Sequence, residues 1–137
     1  MTDSFERFAP VERVIRIGAL PYRFWCPPDV DALIDVEAFA ADERIPYWAN
    51  VWESALVLAE DIAGLEPAGR RLLELGCGLG LPAIVAARCG FQAMATDYEE
   101  AALEGVRYNA DRNGAANLAI GLLDWRRIPD ELDQFDL

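Results

Sequence analysis

The chain has 137 residues, 53% of them hydrophobic and 26% charged, enough for one globular domain with a buried core. Its net charge of −12 excludes phosphate-backbone binding as the main source of affinity, because nucleic-acid binders need dense Lys and Arg to release counterions. No apolar run reaches the roughly 18 residues of a membrane-spanning helix, and MTDSFERFAP lacks the basic start and apolar middle of a signal peptide.

Three cysteines, Cys26, Cys77 and Cys89, occur without histidine or paired spacing, so neither a disulfide framework nor a metal site is expected. The expectation is a cytoplasmic protein with free thiols and no membrane or nucleic-acid partner.

Residues 1–45 read as an N-terminal extension. VERVIRI alternates apolar and polar residues, GALP interrupts it and YRFW resumes a strand-like composition, which predicts a short β-hairpin ended by Pro27 and Pro28. Between Asp29 and Glu43, six carboxylates (Asp29, Asp31, Asp35, Glu37, Asp42 and Glu43) face only Arg44. The segment reads as a solvated acidic face; attraction of a basic substrate is the alternative.

From residue 46 to 137 the pattern is regular. In PYWANVWESALVLAEDIAG, Val51, Ala55, Leu58 and Ile62 recur at helical spacing, predicting an amphipathic helix over 51–63. Asn50 is the expected cap, Glu53 the third residue reaching back to it, and Gly64 the left-handed terminator. RRLLEL then reads as a strand stopping at a glycine cluster, and LPAIVAARCG as a buried helix with Pro82 near its start and Gly90 at its end.

FQAMATD is a second strand and YEEAALEGVRYNADRNG a second helix closed by Gly114, with Glu99 and Glu100 near its positive end and Arg107 and Arg112 toward its negative end. NLAIGLLD is a third strand, and FDL, after the turn at Pro129, looks like the start of a fourth. This alternation predicts an α/β fold, a Rossmann-like parallel sheet with helices on both faces. Because such sheets seldom stop in mid-strand, the sheet reads as incomplete and the chain as the N-terminal portion of a longer protein. An exposed sheet edge would then favour self-association.

Gly76, Gly78 and Gly80, between a strand and a helix, let the backbone approach a nucleotide-like ligand at a helix N-terminus. A dinucleotide fingerprint would be G-x-G-x-x-G, but Leu81 occupies the sixth position and Glu74 precedes the first glycine by two residues. A carboxylate there would repel a diphosphate and accommodate a sulfonium or ammonium.

The run ELGCGLG at 74–80 resembles the first motif, E/D-x-G-x-G-x-G, of the seven-strand, class I S-adenosylmethionine-dependent methyltransferases. The resemblance implies that Gly76, Cys77, Gly78 and Gly80 line the methionine part of the cofactor, with Glu74 fixing the loop or the amino group. Asp97, at the end of the second strand, would in isolation be read as a helix cap. In register with ELGCGLG it becomes the acceptor for both ribose hydroxyls, with Tyr98 against the adenine. Asp124 would accept from the adenine amino group, with Trp125 packing on the ring.

PYWANVWESALVLAEDI resembles the helix that precedes the first strand in the protein-lysine methyltransferase-like branch, family 16. The resemblance implies that Trp52, with Trp48 as a second candidate, closes over the cofactor; simple packing on the sheet is the alternative for Trp52 and the favoured reading for Trp48 and Tyr47. The resemblance implies methyl transfer to an amine, protein lysine or a small molecule, and places the acceptor motif just past Leu137. No catalytic residue is named. A non-catalytic cofactor-binding or interaction module and an NAD-dependent oxidoreductase are the alternatives.

Overall fold

The computed structural model describes residues 4–137. After a 3-10 turn at Ser4–Phe8, strands β1 (Val11–Ile17) and β2 (Leu20–Cys26) form the expected hairpin, antiparallel with Ile17 opposite Leu20. Gly18, at φ +58°, opens its two-residue loop, a conformation that favours glycine. Pro21 is accepted inside β2 because its missing N–H belongs to the side of the strand turned away from β1.

That same side is covered by a helix. Asn113 accepts from the N–H of Arg23 at 3.0 Å and donates to its carbonyl at 2.8 Å, and Asn109 does the same for Trp25 at 2.7 and 3.0 Å. Two carboxamides thus satisfy an edge that would otherwise lack partners.

The acidic segment holds a helix that the sequence reading missed, α1 (Val36–Asp42). The Asp35 carboxylate accepts from the N–H groups of Glu37 and Ala38, and Glu43 ends the helix in the left-handed region. The helix buries no residue, so apolar periodicity gave no sign of it. It presents the acidic face that the composition suggested.

Helix α2 (Glu53–Ala63) starts two residues later than predicted. Trp52, not Asn50, is its N-cap, and no side chain caps it, because Tyr47–Ala49 makes a 3-10 turn and Asn50 is extended. Glu53 is therefore the first helical residue and cannot close a capping box. Gly64 has φ −86°, so the helix end needs no left-handed residue; its N–H reaches the carbonyls of Glu60 and Asp61.

The remaining elements fall close to expectation: β3 (Arg71–Glu74), α3 (Leu81–Cys89), β4 (Gln92–Asp97), α4 (Glu100–Arg112) and β5 (Ala119–Leu122). Pro82 lies in the first turn of α3 and Gly90 ends it at φ +107°. The three strands form a parallel sheet in the order β3-β4-β5. Two crossovers of the same hand that step in the same direction put α3 and α4 on one face, over Leu72, Ala93 and Ala95.

Helix α2 packs against α3 in that layer. The other face, where Arg71, Gln92 and Met94 alternate outward, is crossed by the loop leading to Phe135, whose ring lies 4.8 Å from the Arg71 guanidinium. The final residues run along the free edge of β3: Asp136 N–H donates to Arg71 O at 2.8 Å and Leu73 N–H to Leu137 O at 3.0 Å. FDL begins a fourth extended segment, as expected, although it forms no assigned strand.

The hairpin and the parallel sheet share one core. Phe5, Ile15, Ile17, Tyr22 and Phe24 are buried in the same cluster as Leu81, Ile84, Phe91 and Val106. Phe5 approaches Gly105 so closely that a Cβ there would lie 2.9 Å from its ring. Among the described residues no helix is long and apolar enough to cross a membrane.

Candidate functional site

At the carboxyl ends of β3 and β4 lies a cavity of about 710 Å³, within the range of small-molecule sites. Its floor is the turn from Glu74 to Pro82. Gly76, Gly78 and Gly80 have φ of +61°, +56° and +77°, so each takes a left-handed conformation costly to any other residue. At Gly78 a Cβ would lie 3.2 Å from the Trp48 carbonyl, and at Gly80 2.9 Å from Val106. One glycine admits the chain above the turn, and the other admits helix α4 below it.

The carboxylates in the wall also hold the turn. Glu74 accepts the N–H of Ala83, in the first turn of α3, at 2.9 Å through one oxygen. Its carbonyl takes the Thr96 hydroxyl at 2.7 Å, tying β3 to β4. Asp97, 4% exposed, accepts Gly78 N–H at 2.9 Å and Glu99 N–H at 3.0 Å, one on each oxygen. It is not the cap of α4, since Glu99 is the residue in that position.

Burial pushes the Glu74 carboxyl up to about 8; the Ala83 N–H pulls it back and the Asp97 charge pushes it further. Burial also raises Glu99, opposed by Arg44, and drives the Cys77 thiol up, with Glu74 and Asp97 adding to it. Cys77 is therefore a packed thiol within the loop rather than a nucleophile.

The structure gathers most of the expected residues but not all. Trp52, Glu74, Gly76, Cys77, Gly78, Gly80, Asp97 and Tyr98 all line the cavity. Trp52 is half exposed at its mouth, with its indole N–H on the Tyr47 carbonyl at 2.9 Å. Trp48, the second tryptophan considered for that contact, also reaches the wall, while its ring meets Phe8 edge-on at 5.3 Å. Tyr98 has the guanidiniums of Arg44 and Arg126 at 5.3 and 5.4 Å from its ring centre.

Asp124 and Trp125 stand outside the wall. Both oxygens of Asp124 are taken by Arg126 at 2.8 Å, which lowers its carboxyl to about 2. Trp125 is exposed, its indole nitrogen 4.0 Å from where a Cβ of Gly76 would be. The third carboxylate near Glu74 and Asp97 is instead Glu99, which sequence reasoning treated only as favourable to the dipole of α4. Its place two residues past the strand-end aspartate was the available signal. Asn50 and Ser54, in the same wall, were also missed as site residues.

A left-handed glycine turn, a helix N-terminus and clustered carboxylates at the tips of parallel strands define a Rossmann-like cofactor-binding domain with an acidic cradle. The model of the lysine methyltransferase family matches residues 42–137, and the chain belongs to that family.

Among curated proteins it is 35% identical over 95 residues to the ribosomal protein L11 methyltransferase of Pseudomonas paraeruginosa, covering 67% of this chain and 32% of that protein. It is also 35% identical over 92 residues to the histone-arginine methyltransferase METTL23 of Xenopus laevis, covering 64% and 39%. The chain thus spans about a third of the length of these relatives.

Its fold matches that of the tRNA (uracil-54, C5)-methyltransferase of Pyrococcus abyssi, solved with S-adenosyl-L-homocysteine, with TM-score 0.56 and 19% identity over 91% of this chain and 26% of that one. It also matches a putative sam-dependent methyltransferase of Streptococcus mutans, with TM-score 0.55 and 12% identity over 82% and 26%.

Proposed function

We propose that the cavity binds S-adenosyl-L-methionine and that the chain forms the methyl-donor half of a methyltransferase acting on a protein, at lysine or another nitrogen. One observation carries this reading: Glu74, Asp97, Glu99 and Asp61 line the cavity, and no Arg or Lys among the described residues does. Such a wall attracts a ligand bearing a sulfonium and an ammonium and opposes a diphosphate, which counts against a dinucleotide. Membership in a lysine methyltransferase family supports the reaction class.

The residues fit the cofactor. The Cβ-free turn at Gly76 leaves room for a close approach, and the second oxygen of Glu74 takes no hydrogen bond from the described residues and is available to an ammonium. Asp97 keeps lone pairs beyond the two N–H groups it holds, and these suit the ribose hydroxyls. When bound, the cofactor supplies an activated methyl group on a sulfonium. The chain's own residues hold it in line with the incoming nucleophile and shed water, Trp52 and Trp48 closing one side.

A positive charge in the cavity favours the ionised form of Glu74, so binding expels the proton that burial retains. The reading extends to a basic protein substrate, supported by the exposed acidic face of residues 29–43 and by relatives named for methylating ribosomal protein L11 and histone arginine.

Calorimetry tests the proposal. S-adenosyl-L-methionine and its demethylated product should bind, and Asp97→Ala should weaken both by about 1–3 kcal/mol, the scale of a charge-assisted hydrogen-bonded pair. Binding of NADH without response to S-adenosyl-L-methionine would overturn it.

A further inference from the structure

The two edges of the hairpin are treated differently. The N–H and C=O groups of Arg23 and Trp25 point away from β1 into the carboxamides of Asn113 and Asn109. Their neighbours Tyr22 and Phe24 therefore bond inward to Ile15 and Arg13. By the same alternation Glu12, Val14 and Arg16 turn their backbone groups to the outer edge of β1. No strand pairs with that edge, and no hydrogen bond from the described residues reaches those groups.

The geometry points to this edge as a pairing surface for a second copy of the same chain, antiparallel across a two-fold axis at Val14. Two β1 strands in that register place Val14 opposite Val14, and Glu12 opposite Arg16 twice. The three positions are the ones whose backbone groups face outward, so hydrogen bonds and side-chain pairs agree on one alignment. Val14 is 63% exposed and Val11 52%, two apolar side chains without cover on a short strand.

Arg16 makes no ion pair within the described residues, whereas Glu12 is held by Arg23 at 2.8 Å and keeps lone pairs for a second guanidinium. Charged residues on an edge commonly block pairing. Here their order blocks other arrangements instead: a parallel pair sets Glu12 against Glu12 and Arg16 against Arg16, and a shift of two residues leaves the charges without opposites. The sequence reading expected self-association at an edge of the parallel sheet; at β3 that edge is already taken by residues 136–137.

Seven residues bury less area than a standard interface, so the dimer belongs to the weak class, with a Kd of roughly 10–500 μM. Sedimentation velocity of the 137-residue chain from roughly 5 μM to 1 mM should show a reversible monomer–dimer equilibrium. Arg16→Glu, a change at an exposed side chain, should weaken it at least about tenfold, because each dimer then holds two Glu–Glu pairs. Val14→Pro, which deletes an outward N–H and no bond inside the hairpin, should abolish it.

Circular dichroism and binding at the cavity should be unchanged in both variants. A chain that stays monomeric to roughly 1 mM overturns the inference, as does a dimer indifferent to both substitutions.

Discussion

Glu74→Gln isolates the most perturbed carboxyl in the cavity. Glutamine keeps an oxygen for the Ala83 N–H and removes only the titration. The folded-state value lies near 8 against an ordinary 4.5, so folding favours the protonated form. That contribution is complete below about pH 4.5 and is lost as pH rises through about 8. At about 1.36 kcal/mol per pH unit, the span from 4.5 to 8 is worth at most about 5 kcal/mol. Water entering the cavity will lower that figure.

Even half of it is a large part of the 5–15 kcal/mol typical of domain stability. Urea titrations at pH 5, 6.5, 8 and 9 measure it directly. The wild-type chain should lose stability across this range with a slope approaching 1.4 kcal/mol per pH unit between pH 5 and 8. Glu74→Gln should flatten most of that slope. A residual fall will come from Glu99, whose carboxyl is shifted in the same direction. Parallel curves for the two proteins would refute the account of Glu74 as a buried acid that retains its proton.

Two further predictions concern the frame of the site. Gly80→Ala should cost about 2–4 kcal/mol, combining left-handed strain with overpacking against Val106, and Val106→Ala in the same chain should recover about 1 kcal/mol of that in a double-mutant cycle read by thermal unfolding. Asn109→Ala should cost about 2–3 kcal/mol, because it leaves the N–H and C=O of Trp25 without partners; hydrogen exchange should locate the lost protection at Trp25 and its β1 neighbours.

What could be read from the letters depended on whether a signal was local. Strand-helix alternation from Arg71 to Leu122 was legible because Gly and Pro punctuate it, because α3 is apolar through its whole buried run and because α4 buries residues at helical spacing. Helix α1 was invisible for the opposite reason, having no buried face. The start of α2 was misplaced because Tyr47–Ala49 makes a 3-10 turn and Asn50 is extended, with the Trp48 carbonyl lying close over Gly78, a tertiary approach that local spacing does not reveal.

Motif order placed Asp97 at the cavity but could not anticipate that its oxygens already hold Gly78 and Glu99. Nor could it anticipate that Arg126, two residues on, would engage Asp124, or that Glu99 would enter the wall.

Asn109 on α4 and Asn113 at its C-cap make a helix behave as a third strand. Four helical residues rise about 6.0 Å and two strand residues about 6.8 Å, so carboxamides one turn apart meet alternate peptide groups of a strand nearly in step. The hairpin is therefore indexed to the helix at two teeth, Arg23 and Trp25. A one-residue insertion between them would leave at most one of the two engaged, while an insertion at the Gly18–Ala19 loop would leave the indexing intact. Length variation in this part of the molecule belongs at the loop.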